Sequence, residues 1–118
     1  MGVERATAEL LSAVQNHGRT IRFAAEGSDE LRYLNRIGAE ANVGGTNLTH
    51  ILLRADPSKA ALLEEFLHGT QWALGVVQRL GIAGAEAHVK SFMIRHARML
   101  GLSDADVAAL RQLLDAGL

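Results

Sequence analysis

The chain has a single proline, Pro57, and it falls where one kind of sequence pattern gives way to another. Proline tolerates the first turn of a helix and little else inside one. Asp56-Pro57 therefore reads as an N-cap followed by a first helical position. After it no proline interrupts the helical periodicity, and three helices are expected. The first runs from Asp56 to Leu80 and stops at Gly81. The second runs from about Ala83 to Leu100-Gly101. The third is capped by Ser103, with Asp104 and Asp106 in its first turn, where acids suit the helix dipole.

Before Pro57 the segments are short. Residues 4–16 carry Leu10, Leu11 and Val14 as an apolar stripe that ends ahead of Gly18, a helical pattern. Arg19 to Ala24 alternates, with Ile21 and Phe23 apolar, and reads as a strand. Asp29 to Ile37 reads as a short helix between a Ser28 cap and Gly38. Ala39–Val43 and Leu48–Arg54 read as two strands joined by a Gly-Gly-Thr-Asn turn. One domain over residues 1–118 follows, with an N-terminal helix (1–18), a strand region (19–54) and a helical region (56–118). Strands grouped ahead of helices indicate an α+β fold. Neither βαβ alternation nor a G-x-G-x-x-G sequence is present, which excludes a dinucleotide fold.

Composition narrows the function classes. A length of 118 residues with 48% hydrophobic content supports one modest core, and 4% aromatics make that core Leu, Ala, Val and Ile. A net charge of −1 gives no footprint for nucleic acid or an anionic membrane. No run approaches the ~18 apolar residues of a membrane span, and Glu4 and Glu9 interrupt any signal-peptide core. There is no cysteine. A metal, if held, must be held by His and carboxylate, and neither a thiol nucleophile nor a G-x-S-x-G serine is on offer.

The residues with most chemical content are Glu64-Glu65-Phe66-Leu67-His68, followed by Gln71 and, on the next helix, Glu86. At about 100° per residue, Glu64, His68 and Gln71 fall within roughly 60° of one another on the helix. Ala60 and Gly75 share their lane, and apolar residues cover most of the rest. The layout is that of the H-E-x-x-H metallopeptidase helix with Glu in place of the first His. Glu64 and His68 would be two ligands of one divalent metal, zinc foremost. Glu86 shares a face with Val89, Met93, Ala97 and Leu100, where a carboxylate is costly unless partnered, and is the candidate third ligand. Glu65 then stands as general base, taking a proton from the attacking water. A small helix rotation would exchange the roles of Glu64 and Glu65. The plain alternative for Glu86 is a buried pair with Arg36, Lys90 or Arg95. A di-iron site needs a second ExxH and two further glutamates, which are absent.

Other polar residues carry weaker signals. His50 alternates with Leu48 and Leu52 along its strand and is either a cleft residue beside the motif helix or a structural histidine. His88 lies about 160° from Glu86 on the helical wheel, so the two do not chelate one ion. His96 reads as packed, His17 as a helix cap, and Trp72 as a core residue or a cover over the site.

The string EEFLHGTQ, followed after a glycine-containing turn by AEAHVKSFMIRHARMLGL, resembles the zincin-like metallopeptidase toxin domains at the C-terminal ends of bacterial polymorphic toxins. The resemblance covers roughly residues 37–113. It rests on Ala39-Glu40-Ala41-Asn42, on Glu64-Glu65-Phe66-Leu67-His68 with Gln71, and on Ala85-Glu86-Ala87. Where an E-x-E pattern would be expected on the second helix, this chain has Ala85-Glu86, one glutamate instead of two. The resemblance implies a small zincin-like domain hydrolysing peptide or amide bonds, with a protein or peptide substrate and a cognate immunity protein as partners. It also implies a cytoplasmic location or delivery as part of a larger toxin. In the same scheme Gln71 and His50 orient substrate or support the ligands. The reading from another class is a non-catalytic protein-binding module of the same fold, and a third is a helical dimer using the Leu/Ala faces.

Overall fold

Hydroxyl side chains set where the helices begin. Thr7, Ser28, Ser58 and Ser103 each accept a hydrogen bond from the backbone N–H three residues on, at Leu10, Leu31, Ala61 and Asp106. Each thereby satisfies one of the donors a helix start leaves open. In the computed structural model, which describes residues 2–117, they open α1 (Ala8–Asn16), α2 (Asp29–Ile37), α3 (Lys59–Ala73) and α6 (Asp104–Asp115). Between them lie β1 (Thr20–Phe23), β2 (Ala41–Gly44), β3 (His50–Leu53), α4 (Val76–Arg95) and the short α5 (Ala97–Leu100). The extreme ends of the expected 1–118 domain, Met1 and Leu118, lie outside the described residues. The fold is α+β.

Several boundaries correct the sequence reading. Residues 4–6 are not helical: Ala6 N–H donates to Pro57 O and Lys59 N–H to Glu4 O, so this segment runs beside the start of α3. Asp56 is not the cap of α3. It sits at φ 52° ahead of Pro57, and Ser58 takes over the capping. The helix ends at Ala73 rather than Leu80, because Gly75 adopts a left-handed φ of 76°. At Gly81 (φ 74°, ψ 175°) the helical backbone does break as expected, within the span of α4. His96 and a left-handed Gly101 then set α5 apart from α4. Among the described residues four helices therefore follow the sheet, not three. β2 and β3 are joined by a 3-10 turn over Thr46–Leu48 rather than a tight turn.

The sheet order is β1-β3-β2, with β1 parallel and β2 antiparallel to β3. β2 is thus bonded on one side only. Glu40, just before β2, accepts from both the N–H and the hydroxyl of Ser58 (3.2 and 3.3 Å), tying the strand to the start of α3.

α3 is the central element. Leu62 packs with Val14, Ala41, Ile51 and Leu53 between helix and sheet. Its neighbour Leu63 packs with Val89, Met93 and Leu110 of α4 and α6. Two adjacent residues point about 100° apart on a helix, so one helix feeds both layers of the core, each buried leucine contributing on the order of 2 kcal/mol. This explains its wide apolar arc. Ile21 packs against the sheet-side core while Phe23, expected beside it, is 47% exposed. No helix among the described residues is long and apolar enough to cross a membrane.

Candidate metal centre

The polar lane of α3 lies where α3 faces the second half of α4, and that packing brings three sequence-predicted residues together. One donor atom each from Glu64, His68 and Glu86 lies within 4.8 Å of the others. His68 is 6% exposed and Gln71 5%.

The orientation of the imidazole follows from one unambiguous acceptor. Gln71 Nε2 lies 3.0 Å from the backbone carbonyl of Ala85, which can only accept. The amide nitrogen therefore faces α4, and Oε1 faces His68 Nδ1 at 2.7 Å. Nδ1 must carry the proton. The other ring nitrogen, Nε2, points toward Glu86 Oε1 at 3.3 Å, buried and without a hydrogen-bond partner. His88 Nδ1 accepts from the same Gln71 amide at 2.9 Å. No local pattern signals that Gln71 reaches His88, because that contact depends on how α3 and α4 cross.

The cluster has a further member in Lys90, which the sequence offered only as an alternative partner for Glu86. Its ammonium is buried and sits 2.9 Å from Glu86 Oε2 and 3.1 Å from Glu64 Oε1. Of the three cations considered as partners for Glu86, the structure selects this one. The signal was present in the i,i+4 spacing of Glu86 and Lys90.

Burial and neighbouring charge shift the proton affinities here. Burial, then the charge of Glu64, pushes the Glu65 carboxyl up to about 7. His68 would be lowered by burial, but the Glu86 carboxylate and the Gln71 amide outweigh this and raise it to about 8. Glu86 is held down at about 2 by His68, with Lys90 assisting against the cost of burial. Lys90 would also be lowered by burial, yet its contacts with Glu86 and Glu64 raise it above the ordinary lysine value.

A cavity of about 860 Å³ opens beside the cluster, with Glu64, Glu65, His68, Glu86 and Lys90 on one wall. Ala39, Ala41, Asn42 and Val43, from β2 and the approach to it, also line it. Ile82 (78% exposed), Ile37 and Leu113 stand around it. His50 is not brought to this cleft. It is exposed at the start of β3, hydrogen-bonded to Thr20 Oγ1, and lines a separate hollow with Arg22 and Glu30. Trp72 also stays apart, its Nε1 donating to Asn47 Oδ1 on the β2–β3 connection. His17 caps α1 by its contact to Ala13 O, and His96 packs on Phe92.

The donors fit a divalent cation. A buried imidazole nitrogen makes no well-formed hydrogen bond, two carboxylates converge on it, and imidazole with carboxylate suits zinc and other first-row metals. No family model, curated protein or solved structure was found to match the chain.

Proposed function

We propose that the chain is a metal-dependent hydrolase of peptide or amide bonds, holding one divalent cation, zinc foremost, through Glu64, His68 and Glu86. The observation that carries this is His68 Nε2, which is buried, makes no well-formed hydrogen bond and is directed by Gln71 toward the Glu64 and Glu86 carboxylates. With the proton held on Nδ1, a neutral His68 turns the Nε2 lone pair toward Glu86 Oε1 at 3.3 Å, an acceptor facing an acceptor, and a cation between them would relieve that contact. When bound, such an ion supplies Lewis acidity to the scissile carbonyl and lowers the pKa of water.

The chain's own groups account for the remaining chemistry. Glu65 faces the cleft beside Glu64, and its proton affinity near neutrality suits a group that takes a proton from attacking water and returns it to the leaving amine. Among the described residues β2 pairs with β3 alone, and it lines the same cleft as Glu65. An extended peptide laid along that edge would gain backbone hydrogen bonds. We further propose, on the resemblance carried by Glu64-Glu65-Phe66-Leu67-His68 and Gln71, a toxin-like effector role in bacterial competition, with an immunity protein as cognate partner.

One observation favours the rival, a non-catalytic binding module. Lys90 already bridges Glu64 and Glu86 and could serve as their lasting counter-charge. Metal content decides between them. Protein purified without added metal should carry about one zinc per chain by mass spectrometry, and His68→Ala should lose it. Glu65→Gln should keep the metal and lower turnover by about 10²–10⁴-fold. Absence of metal, even after zinc is supplied, would leave only the binding module.

A further inference from the structure

Lys90 offers more than a counter-charge. Its side chain is 4% exposed, far more buried than an i,i+4 pair with Glu86 on one helix requires. Burial of an ammonium is expensive unless it is fully used. What burial adds is reach: from α4 the ammonium spans to Glu64 on α3, linking the two helices that carry the metal-holding groups. Glu86 is divided by it, with Oε2 on Lys90 and Oε1 left toward His68 Nε2.

We propose that Lys90 is a positioning residue for the metal: its ammonium fixes the direction of the Glu64 and Glu86 carboxylates around His68 Nε2 and stays in place when the ion binds. The inference rests on the metal-dependent reading above. It assigns Lys90 a place beside the ion, where the counter-charge reading puts Lys90 in the ion's stead. Carboxylate ligands are commonly held this way by outer partners, whose removal typically costs about 10–100-fold in metal affinity.

The test compares zinc affinity, by competition with a chromophoric chelator, for wild type, Lys90→Met and Lys90→Arg. Visible spectra of the cobalt-substituted proteins report ligand geometry. Removing a positive charge should by Coulomb's law strengthen cation binding. A positioning role predicts the opposite: Lys90→Met weaker by about 10–100-fold with an altered cobalt spectrum, and Lys90→Arg recovering most of the loss. Lys90→Met binding zinc as tightly as wild type, or more tightly, overturns the proposal. A second test uses the wild-type protein and so does not depend on how Lys90→Met folds. The ¹⁵N signal of the Lys90 ammonium should persist, protected from exchange, after zinc is added. Its loss on zinc addition would mark Lys90 as a competitor of the ion and overturn the proposal. A wild-type protein that takes up no zinc would be a different failure, sinking the metal reading and this inference with it.

Discussion

Gln71 sits one helical turn beyond His68 and turns its amide oxygen to His68 Nδ1 at 2.7 Å, while its nitrogen is committed to Ala85 O and His88 Nδ1. The pair settles which face of the imidazole is left to bind. A flipped amide would set its oxygen against the Ala85 carbonyl oxygen, two acceptors face to face. The tautomer of His68 is thus anchored by the backbone of α4.

Gln71→Leu should therefore weaken metal binding without removing any ligand. About 10–100-fold in zinc affinity is expected, measured by chelator competition, with the fold intact by circular dichroism. In long-range ¹⁵N NMR of the metal-free variant at high pH, the imidazole of His68 should lose its preference for the Nδ1–H tautomer. Unchanged affinity and unchanged tautomer would show that packing alone orients the ring.

That relationship marks the border of what the sequence discloses. Glu64, His68 and Gln71 share a lane by helical geometry alone, and Glu86 betrays itself as a carboxylate among Val89, Met93 and Leu100. Ser28, Gly38 and Ser103 punctuate their helices as their chemistry dictates. The partners across helices are different. Gln71 to His88, and Lys90 to Glu64, depend on the angle and register at which α3 meets α4, which no local pattern encodes. The break at Gly75 was hidden for another reason. Leu74, Val76 and Val77 continue the apolar periodicity through it, so only the left-handed backbone shows where α3 ends.

The pH dependence of the metal-free protein follows from two raised proton affinities. Glu65 rises from 4.5 to about 7 and His68 from 6.5 to about 8. A group whose folded pKa is raised stabilises the fold fully below its unfolded value and loses that contribution as pH rises through the folded one. The melting temperature of metal-free protein should therefore fall between about pH 5 and pH 8. Glu86, held at about 2, works in the other direction and only in acid, its contribution being lost as pH falls from 4.5 through 2. Zinc must displace the His68 proton, so its affinity should climb over the same neutral range, by up to about tenfold per unit until His68 is neutral. Calorimetric titrations in buffers of different ionisation enthalpy would count the released protons. A flat melting profile from pH 5 to 8 would contradict the assignment.

Ile82 tests what the cleft receives. It is 78% exposed, follows the backbone break at Gly81 and stands at the same cavity as Glu86. Ile82→Asp should change stability by less than about 0.5 kcal/mol, as exposed substitutions do. On a panel of fluorogenic peptides it should lower kcat/KM most where apolar residues flank the cleaved bond, and least where basic ones do. Equal loss across the panel would mean that Ile82 makes no contact with the substrate side chains.

Gly69 tests the packing that holds the cleft wall in place. It lies on α3 between His68 and Thr70, and a Cβ there would stand 2.7 Å from Leu48 O and 2.8 Å from two nitrogens of Arg19. Arg19 cannot yield easily: it donates to His17 O, Phe66 O and Thr70 Oγ1 and lies over the Phe66 ring. Helix propensity alone says Gly69→Ala should stabilise α3 by about 1 kcal/mol. Overpacking against a backbone carbonyl and a fixed guanidinium costs roughly 1–3 kcal/mol, and the close approach should win. A fall of about 5–10 °C in melting temperature is expected. Because Leu48 also lines the cleft beside His68, zinc affinity should drop in the same variant. A rise in melting temperature would mean that α3 can move away from Leu48 at no cost, and that the wall of the cleft is not pinned there.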